Sequence, residues 1–434
     1  MAEHMSDAEL ERSAILRMSW RLLPFLIAAY FVAFVDRVNV GFAALQMNKD
    51  LGFTATVYGW GAGIFFLGYF LFEVPSNILL ERFGARRWIM RIMVSWGIVS
   101  AATALVTGLW SFIGLRFLLG AMEAGFFPGI ILYLTYWFPS AHRAKIVGIF
   151  MIAIPISSLL GSPISSAILG MEGVMGLHGW QWLFIIEAIP SVLLGLLTLA
   201  WLPDRPATAR WLPDNERDWL MRRLAADEAL IPAAPKVPLW QVLTNRRVLL
   251  LALVYAGSTA SNYGLTLWQP QIIKSFGLTN MQVGLLNGVP FAFGCVAMIW
   301  WGRRSDQVQE RRWHTALPLF LCGAGLVACL GFTTLWPTII ALTVTLIGVY
   351  ALKGPFWAIT TEALPVAIAA PSIAAINSIG NLAGFVGPFL IGYIKDATGS
   401  FVLGLIPLIA FAFVAGAVVL LMGRDQRAAP AVAQ

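Results

Sequence analysis

The sequence predicts an all-α integral membrane protein of twelve transmembrane helices in two six-helix halves. Three observations lead there: composition, the spacing of apolar runs, and the distribution of basic residues. Of 434 residues, 59% are hydrophobic and only 12% charged, and mean hydropathy is +0.77. A soluble domain carries roughly 25% charge. That excludes a soluble enzyme, a disordered chain and a nucleic-acid binder. A bilayer core takes about 20 mostly apolar residues per helix. On that ruler the chain offers segments at 22–44, 58–80, 88–109, 110–136, 145–170, 181–202, 247–272, 283–302, 315–334, 336–362, 371–394 and 401–423. One long polar interval, 203–246, divides them six and six.

Charge orients the spans. With the N-terminus inside, the inner regions hold 23 Lys and Arg, and the outer loops hold only Lys49, Lys274 and Lys395. By the positive-inside rule both termini and the middle interval are cytoplasmic, in a plasma membrane (the inner membrane of a bacterium). The same bias explains the net charge of +7 without any nucleic-acid partner. The predicted organisation is a cytoplasmic tail (1–21), an N-terminal bundle (22–202), a linker (203–246), a C-terminal bundle (247–423) and a C-terminal tail (424–434). The first 21 residues carry Glu3, Asp7, Glu9 and Glu11 and do not read as a cleavable secretory signal.

In the linker, Trp219, Leu220 and Leu224 fall at helical spacing, which predicts one short amphipathic helix starting near Asp214, a residue able to cap it. The interval is too short for an enzymatic domain and holds no nucleophile–base pair. Cys295, Cys322 and Cys329 lie in apolar stretches, away from histidine and without a CxxC, so neither a disulfide framework nor a metal site is expected. No enzymatic activity and no cofactor are predicted.

Eight ionisable residues lie within spans: Asp36, Arg37, Glu73, Arg116, Glu123, Glu187, Lys353 and Glu362. Each costs about 2.5–3.5 kcal/mol at the centre of an isolated helix, so they should face a partner or a cavity. Counting steps of rise places Asp36 about 21 Å from the inner edge of span 1 and Arg116 at the same level in span 4. An Asp36–Arg116 pair is expected. Glu123 lies two turns after Arg116, on the same face and about 10 Å deeper. Arg37 diverges from Asp36 by about 100° and is free to meet a carboxylate with two parallel hydrogen bonds. Asp36 and Glu123 are acids in a low-dielectric cavity, candidates to take up and release protons. The set suits an anion transporter; a purely structural ion-pair network is the alternative.

The chain also repeats itself. Asn77-x3-Glu81-Arg82-x-Gly84-Ala85-Arg86-Arg87 follows span 2, and Gly302-x3-Asp306 with Arg311-Arg312 follows span 8. The acids Glu81 and Asp306 are separated by the same offset as the starts of spans 1 and 7, so two related halves are expected. These loops resemble the G-x3-D-R-x-G-R-R loop of the major facilitator superfamily. They depart from it at Asn77 and Glu81, and the second copy lacks the central glycine. The resemblance implies the major facilitator fold and a cytoplasmic gate, in which the acid holds a helix N-terminus or a neighbouring arginine in the outward-facing state.

Further elements narrow the resemblance: Asp36-Arg37-Val38-Asn39-Val40-Gly41-Phe42-Ala43, Tyr69-x3-Glu73-Val74-Pro75-Ser76-Asn77, Arg116-Phe117 with Glu123-Ala124-Gly125-Phe126-Phe127-Pro128-Gly129, Gly179-Trp180-Gln181-Trp182, Gly354-Pro355-Phe356-Trp357 and Asn377-x2-Gly380-Asn381-x2-Gly384. The ordered set, over about residues 20–425, is similar to the anion:cation symporter family of sugar-acid, tartrate and phthalate permeases and vesicular glutamate carriers. That resemblance implies that Arg37 contacts a substrate carboxylate, Asp36 and Glu123 carry protons, Arg116 couples with them, and Tyr69 lines the site. It implies proton-coupled import of an organic carboxylate by rocker-switch alternating access.

Other positions are open. Glu73, Glu187 and Glu362 read as packing or gate residues. Lys353 either snorkels to the inner interface or faces the cavity, where it would favour a dicarboxylate. Asn262, Asn377 and Asn381 can read hydroxyls or bond across helices, and Tyr263 and Trp357, with Tyr69, can form an aromatic wall or simply pack. The expected partners are a small organic anion and the bilayer, with the chain acting as a monomer. Two other functions fit less well: a transporter-like sensor of a carboxylate, and a drug:proton antiporter, whose span 5 motif is replaced here by Leu160-Gly161-Ser162-Pro163-Ile164-Ser165.

Overall fold

A computed structural model describes residues 6–229, 238–364 and 366–425. Residues 1–5, 230–237 and 426–434 of the expected tails and linker therefore lie outside the described residues. The molecule is built of helices, and no strand occurs among the described residues. Twelve of the helices are long and apolar enough to cross a membrane: Asp7–Asp50, Ala55–Phe83, Ala85–Leu105, Leu109–Trp137, Ser140–Leu169, Gly179–Trp201, Arg246–Lys274, Asn280–Val308, Arg312–Gly331, Leu335–Ala363, Pro371–Thr398 and Leu403–Met422. These are spans 1 to 12, each overlapping one apolar run of the sequence.

The repeat is visible in the backbone. Spans 2 and 8 are each 29 residues long and start at Ala55 and Asn280, the offset that separates Glu81 from Asp306. Spans 4 and 10 both break within the membrane, into Leu109–Glu123 and Phe126–Trp137, and into Leu335–Ala351 and Lys353–Ala363. Gly125 makes the break in span 4 at φ +85°, a left-handed conformation that costs glycine nothing. Glu123 therefore ends one half-helix, and Lys353 begins another at the corresponding break.

The polar N-terminal residues are not a separate tail from Asp7 onward, because they continue the helix of span 1. Ser6 and Glu9 close a capping box, with the Ser6 N–H donating to Glu9 Oε2 at 2.8 Å. The extension is held by the linker helix Asp214–Ala229: Glu216 accepts from Ser13 Oγ at 2.7 Å and from Arg17 Nε at 3.0 Å. Trp219 and Leu220 are buried on the inner side of that helix, as their spacing predicts. Asp214 does not cap it. It lies in the first turn and pairs with Arg217 three residues on, its nearest cation on the same face.

The first and last six helices meet closely on the face opposite the linker. A Cβ on Gly59 of span 2 would stand 2.6 Å from the Pro388 carbonyl oxygen of span 11, so only glycine permits that approach. Asp396 of span 11 caps the start of span 2, accepting from the N–H groups of Ala55 at 3.1 Å and Thr56 at 2.7 Å. Asn287 of span 8 donates to Ser162 Oγ of span 5 at 2.8 Å. Between the two sets lies a cavity, and toward the linker Glu73 of span 2 still meets Asn377 and Ser378 of span 11.

Candidate functional site

The cavity, lined by aromatic and polar side chains, lies between spans 1, 2, 4, 5, 7, 10 and 11. Arg37 stands in its wall in the last turn before span 1 changes segment at Asn39. Its Nε donates to Glu123 Oε1 at 3.1 Å, Nη2 to the same oxygen, and Nη1 to the Tyr263 hydroxyl at 2.8 Å. The rings of Phe34, Phe65 and Tyr69 lie 5.1, 5.2 and 5.3 Å from the guanidinium carbon, within range of cation–π attraction. One oxygen of Glu123 therefore takes two donors, and the other, Oε2, has no partner.

The expected Asp36–Arg116 pair does not form. The Asp36 carboxylate turns inward among the first six helices and accepts from Trp96 Nε1 at 3.0 Å, Ser100 Oγ at 3.0 Å and Ser191 Oγ. Arg116 has no acid partner among the described residues. It donates to the main-chain carbonyls of Arg37 at 3.4 Å and Ala62 at 3.5 Å, while its Nε and Nη1 are buried and unpartnered. Depth matched the two residues, but azimuth separates them. Once Arg37 faces the cavity, its chain neighbour must face spans 3 and 6, whereas Arg116 reaches the seam between spans 1 and 2. Glu123 and Arg116 do share a face, and both stand against Arg37.

Lys353 lines the cavity, with Nζ 5.5 Å from the Tyr255 ring and no ion pair among the described residues. Asn262, Tyr263, Trp357, Asn377 and Asn381 line it as well. Asn262 Oδ1 is unpartnered, and Tyr263 packs on Phe66 with ring centroids 4.3 Å apart. Sequence reasoning missed Tyr30 and Tyr255, which face the cavity from spans 1 and 7. The repeat could have found them, since its offset carries Tyr30 onto Tyr255 and Arg37 onto Asn262. It also missed Thr259, Phe127 and Met151.

The loop residues lie at the linker face. Glu81, Arg82 and Arg87 are exposed and form no ion pair among the described residues. Asn77 bonds within its own helix, to the Glu73 carbonyl at 3.0 Å. Gly84 turns the chain at φ +87°, and the helix N-terminus after it is held by Asp204 of the linker, which accepts from the Arg86 N–H at 2.9 Å. The acid at this helix start is thus supplied by the linker, not by Glu81. In the second copy, after Gly302, Arg311 bridges Asp306 at 2.6 Å and Glu362 at 3.2 Å, and Arg312 donates to the Leu420 carbonyl. Glu187, deep in span 6, accepts from Ser165 Oγ at 2.6 Å.

Known proteins share this architecture. A family model described as Major Facilitator Superfamily matches residues 26–388. A candidate tartrate transporter of Agrobacterium vitis is 53% identical over 392 residues, 90% of each chain. A quinolone resistance transporter of Acinetobacter baumannii is 43% identical over 396 residues, again 90% of each. Among solved structures, a bacterial homologue of the human lysosomal transporter Spinster, inward-facing and unoccupied, superposes with a TM-score of 0.78 at 16% identity. That match covers 94% of this chain and 98% of the other.

Proposed function

This chain belongs to the major facilitator superfamily of membrane transporters, and from that premise we propose that it imports an organic carboxylate together with protons. The observation that carries the reading is Arg37: a guanidinium in the cavity wall, caged by aromatic rings, whose acid partner holds it through a single oxygen. A substrate carboxylate offers two oxygens to the same fork. Binding then exchanges one carboxylate for another, and Glu123 is released. A buried carboxylate without its cation is costly, so it takes a proton or turns to the unpartnered nitrogens of Arg116. Substrate binding and protonation are linked by that exchange.

Lys353 adds a second cation to the cavity lining, which suits a dicarboxylate, and the tartrate name of the 53% relative agrees with a hydroxylated diacid. Asp36, satisfied by three neutral donors, supplies a second proton site beside Arg37. The excess of Lys and Arg at the linker face makes that face cytoplasmic.

Purified protein in liposomes should accumulate labelled tartrate when the outside is made acidic, and a protonophore should abolish the accumulation. A second reading, drug export, is favoured by the quinolone-resistance relative. Gradient-driven movement of a quinolone with no uptake of any carboxylate would establish that reading instead.

A further inference from the structure

Glu73 is a buried acid that neither the transport reading nor the gate loops use. It lies in span 2, is 4% exposed, and forms no ion pair among the described residues. Its partners come from the other set of helices: Oε1 accepts from Asn377 Nδ2 at 3.0 Å and Oε2 from Ser378 Oγ at 3.1 Å, both in span 11. Asn377 in turn lines the cavity and is half-buried. One turn before Glu73 on the same helix, Tyr69 reaches the cavity beside Arg37.

The chemistry of this contact is one-directional. Both Glu73 oxygens accept in this contact, Oε2 from the Ser378 hydroxyl and Oε1 from the amide, so the group of Asn377 that meets Glu73 is its NH₂. That contact fixes the rotation of the side chain about its last bond. The Asn377 carbonyl oxygen, with the remaining N–H, is left for the cavity. A hydroxyl group on a bound acid needs an acceptor for its proton, and beside Glu123 and the Thr259 hydroxyl the other polar groups of the cavity are cations, phenols and amides with no such tie.

We propose that Glu73 is a positioning residue that ties span 2 to span 11 and orients Asn377 to accept a hydrogen bond from a hydroxyl of the transported acid. The inference rests on the carboxylate reading above and adds to it the basis of selection between hydroxylated and plain diacids. A glutamine at this position keeps the shape but donates as well as accepts, so either orientation of Asn377 is satisfied and the preference is lost.

Tartrate and succinate share two carboxylates and differ in two hydroxyls, so their ratio of uptake in counterflow reads this contact directly. Parent protein is expected to favour tartrate. Glu73→Gln and Asn377→Ala should each lower the tartrate-to-succinate ratio by about tenfold, the size of one lost hydroxyl contact. Succinate uptake should hold within about twofold in Glu73→Gln, and the ratio in the double variant should fall no further than in either single one. Equal losses for both acids in Glu73→Gln would leave Glu73 as a helix tie only and overturn the proposal. An unchanged ratio in Asn377→Ala would overturn it too, even if Glu73→Gln failed to fold. A parent that takes both acids without preference refutes the hydroxyl inference alone. A parent that takes neither refutes the carboxylate reading and this inference with it.

Discussion

At the scale of single residues, the proposed carboxylate site turns on the Arg37 guanidinium. Its three hydrogen bonds go to one carboxylate oxygen and one phenol, a geometry that a lysine ammonium cannot reproduce. Arg37→Lys keeps the charge and should still lose substrate affinity by about 10- to 100-fold, the worth of one charge-assisted hydrogen bond. Isothermal titration with tartrate checks this; affinity equal to the parent would remove Arg37 from the site. Lys353 lines the same cavity with no acid partner among the described residues, so its partner would be the second carboxylate of a diacid. Lys353→Gln should therefore weaken a dicarboxylate by about tenfold and its monocarboxylate analogue hardly at all. Equal weakening, measured by competition against labelled substrate, would place the lysine outside the contact.

At the scale of elements, the described linker is fastened to the first six helices by its acids. Asp204 holds the start of span 3, Glu216 binds the extension of span 1, and Asp227 accepts from the Ser140 N–H at 2.7 Å, at the start of span 5. That N–H bond holds the Asp227 carboxyl below its ordinary range. A depressed carboxyl contributes stability in full above its unfolded value, about 3.9, and loses it as pH falls through the folded one. Asp227→Ala should cost about 1 kcal/mol at pH 7, as the loss of a cap does. Thermal melts should show that difference shrinking toward pH 3, and a pH-independent difference would mean that packing, not the carboxylate, holds the linker helix. The N-terminal extension was read as a tail because polarity marks where a helix leaves the bilayer, not where it stops. The capping box at Ser6 and Glu9 marks the start of the helix.

At the scale of the molecule, the proposed function couples two gradients through one cavity. A monoanion entering with one proton moves no net charge. With two protons it carries one positive charge inward, and each 100 mV across the membrane is worth about 2.3 kcal/mol. Asp36 and Glu123 make the two-proton case available. Glu123→Gln imitates the protonated acid and releases Arg37 permanently. It should exchange labelled substrate across liposomes but no longer accumulate it under an imposed pH gradient, while the parent passes inward positive current with a monoanionic substrate. Accumulation by both Asp36→Asn and Glu123→Gln would sink the proton assignment and leave sodium coupling or facilitated diffusion.

Twelve spans and their repeat were legible in the sequence because both are one-dimensional. Apolar length measures a bilayer, and a fixed offset between loop motifs needs no coordinates. The wall positions of Arg37, Tyr69, Lys353 and Asn377 were reachable from depth, helical period and family resemblance together. What those cannot supply is azimuth between helices. Asp36 and Arg116 share a depth, yet Asp36 closes onto Trp96, Ser100 and Ser191 and Arg116 onto main-chain carbonyls. Only tertiary packing decided that Glu123 meets Arg37, that Glu73 meets Asn377, and that Asp204 rather than Glu81 holds the start of span 3. The rotation of a helix about its own axis is set by the neighbours it packs against, and in this chain those neighbours are often more than a hundred residues away.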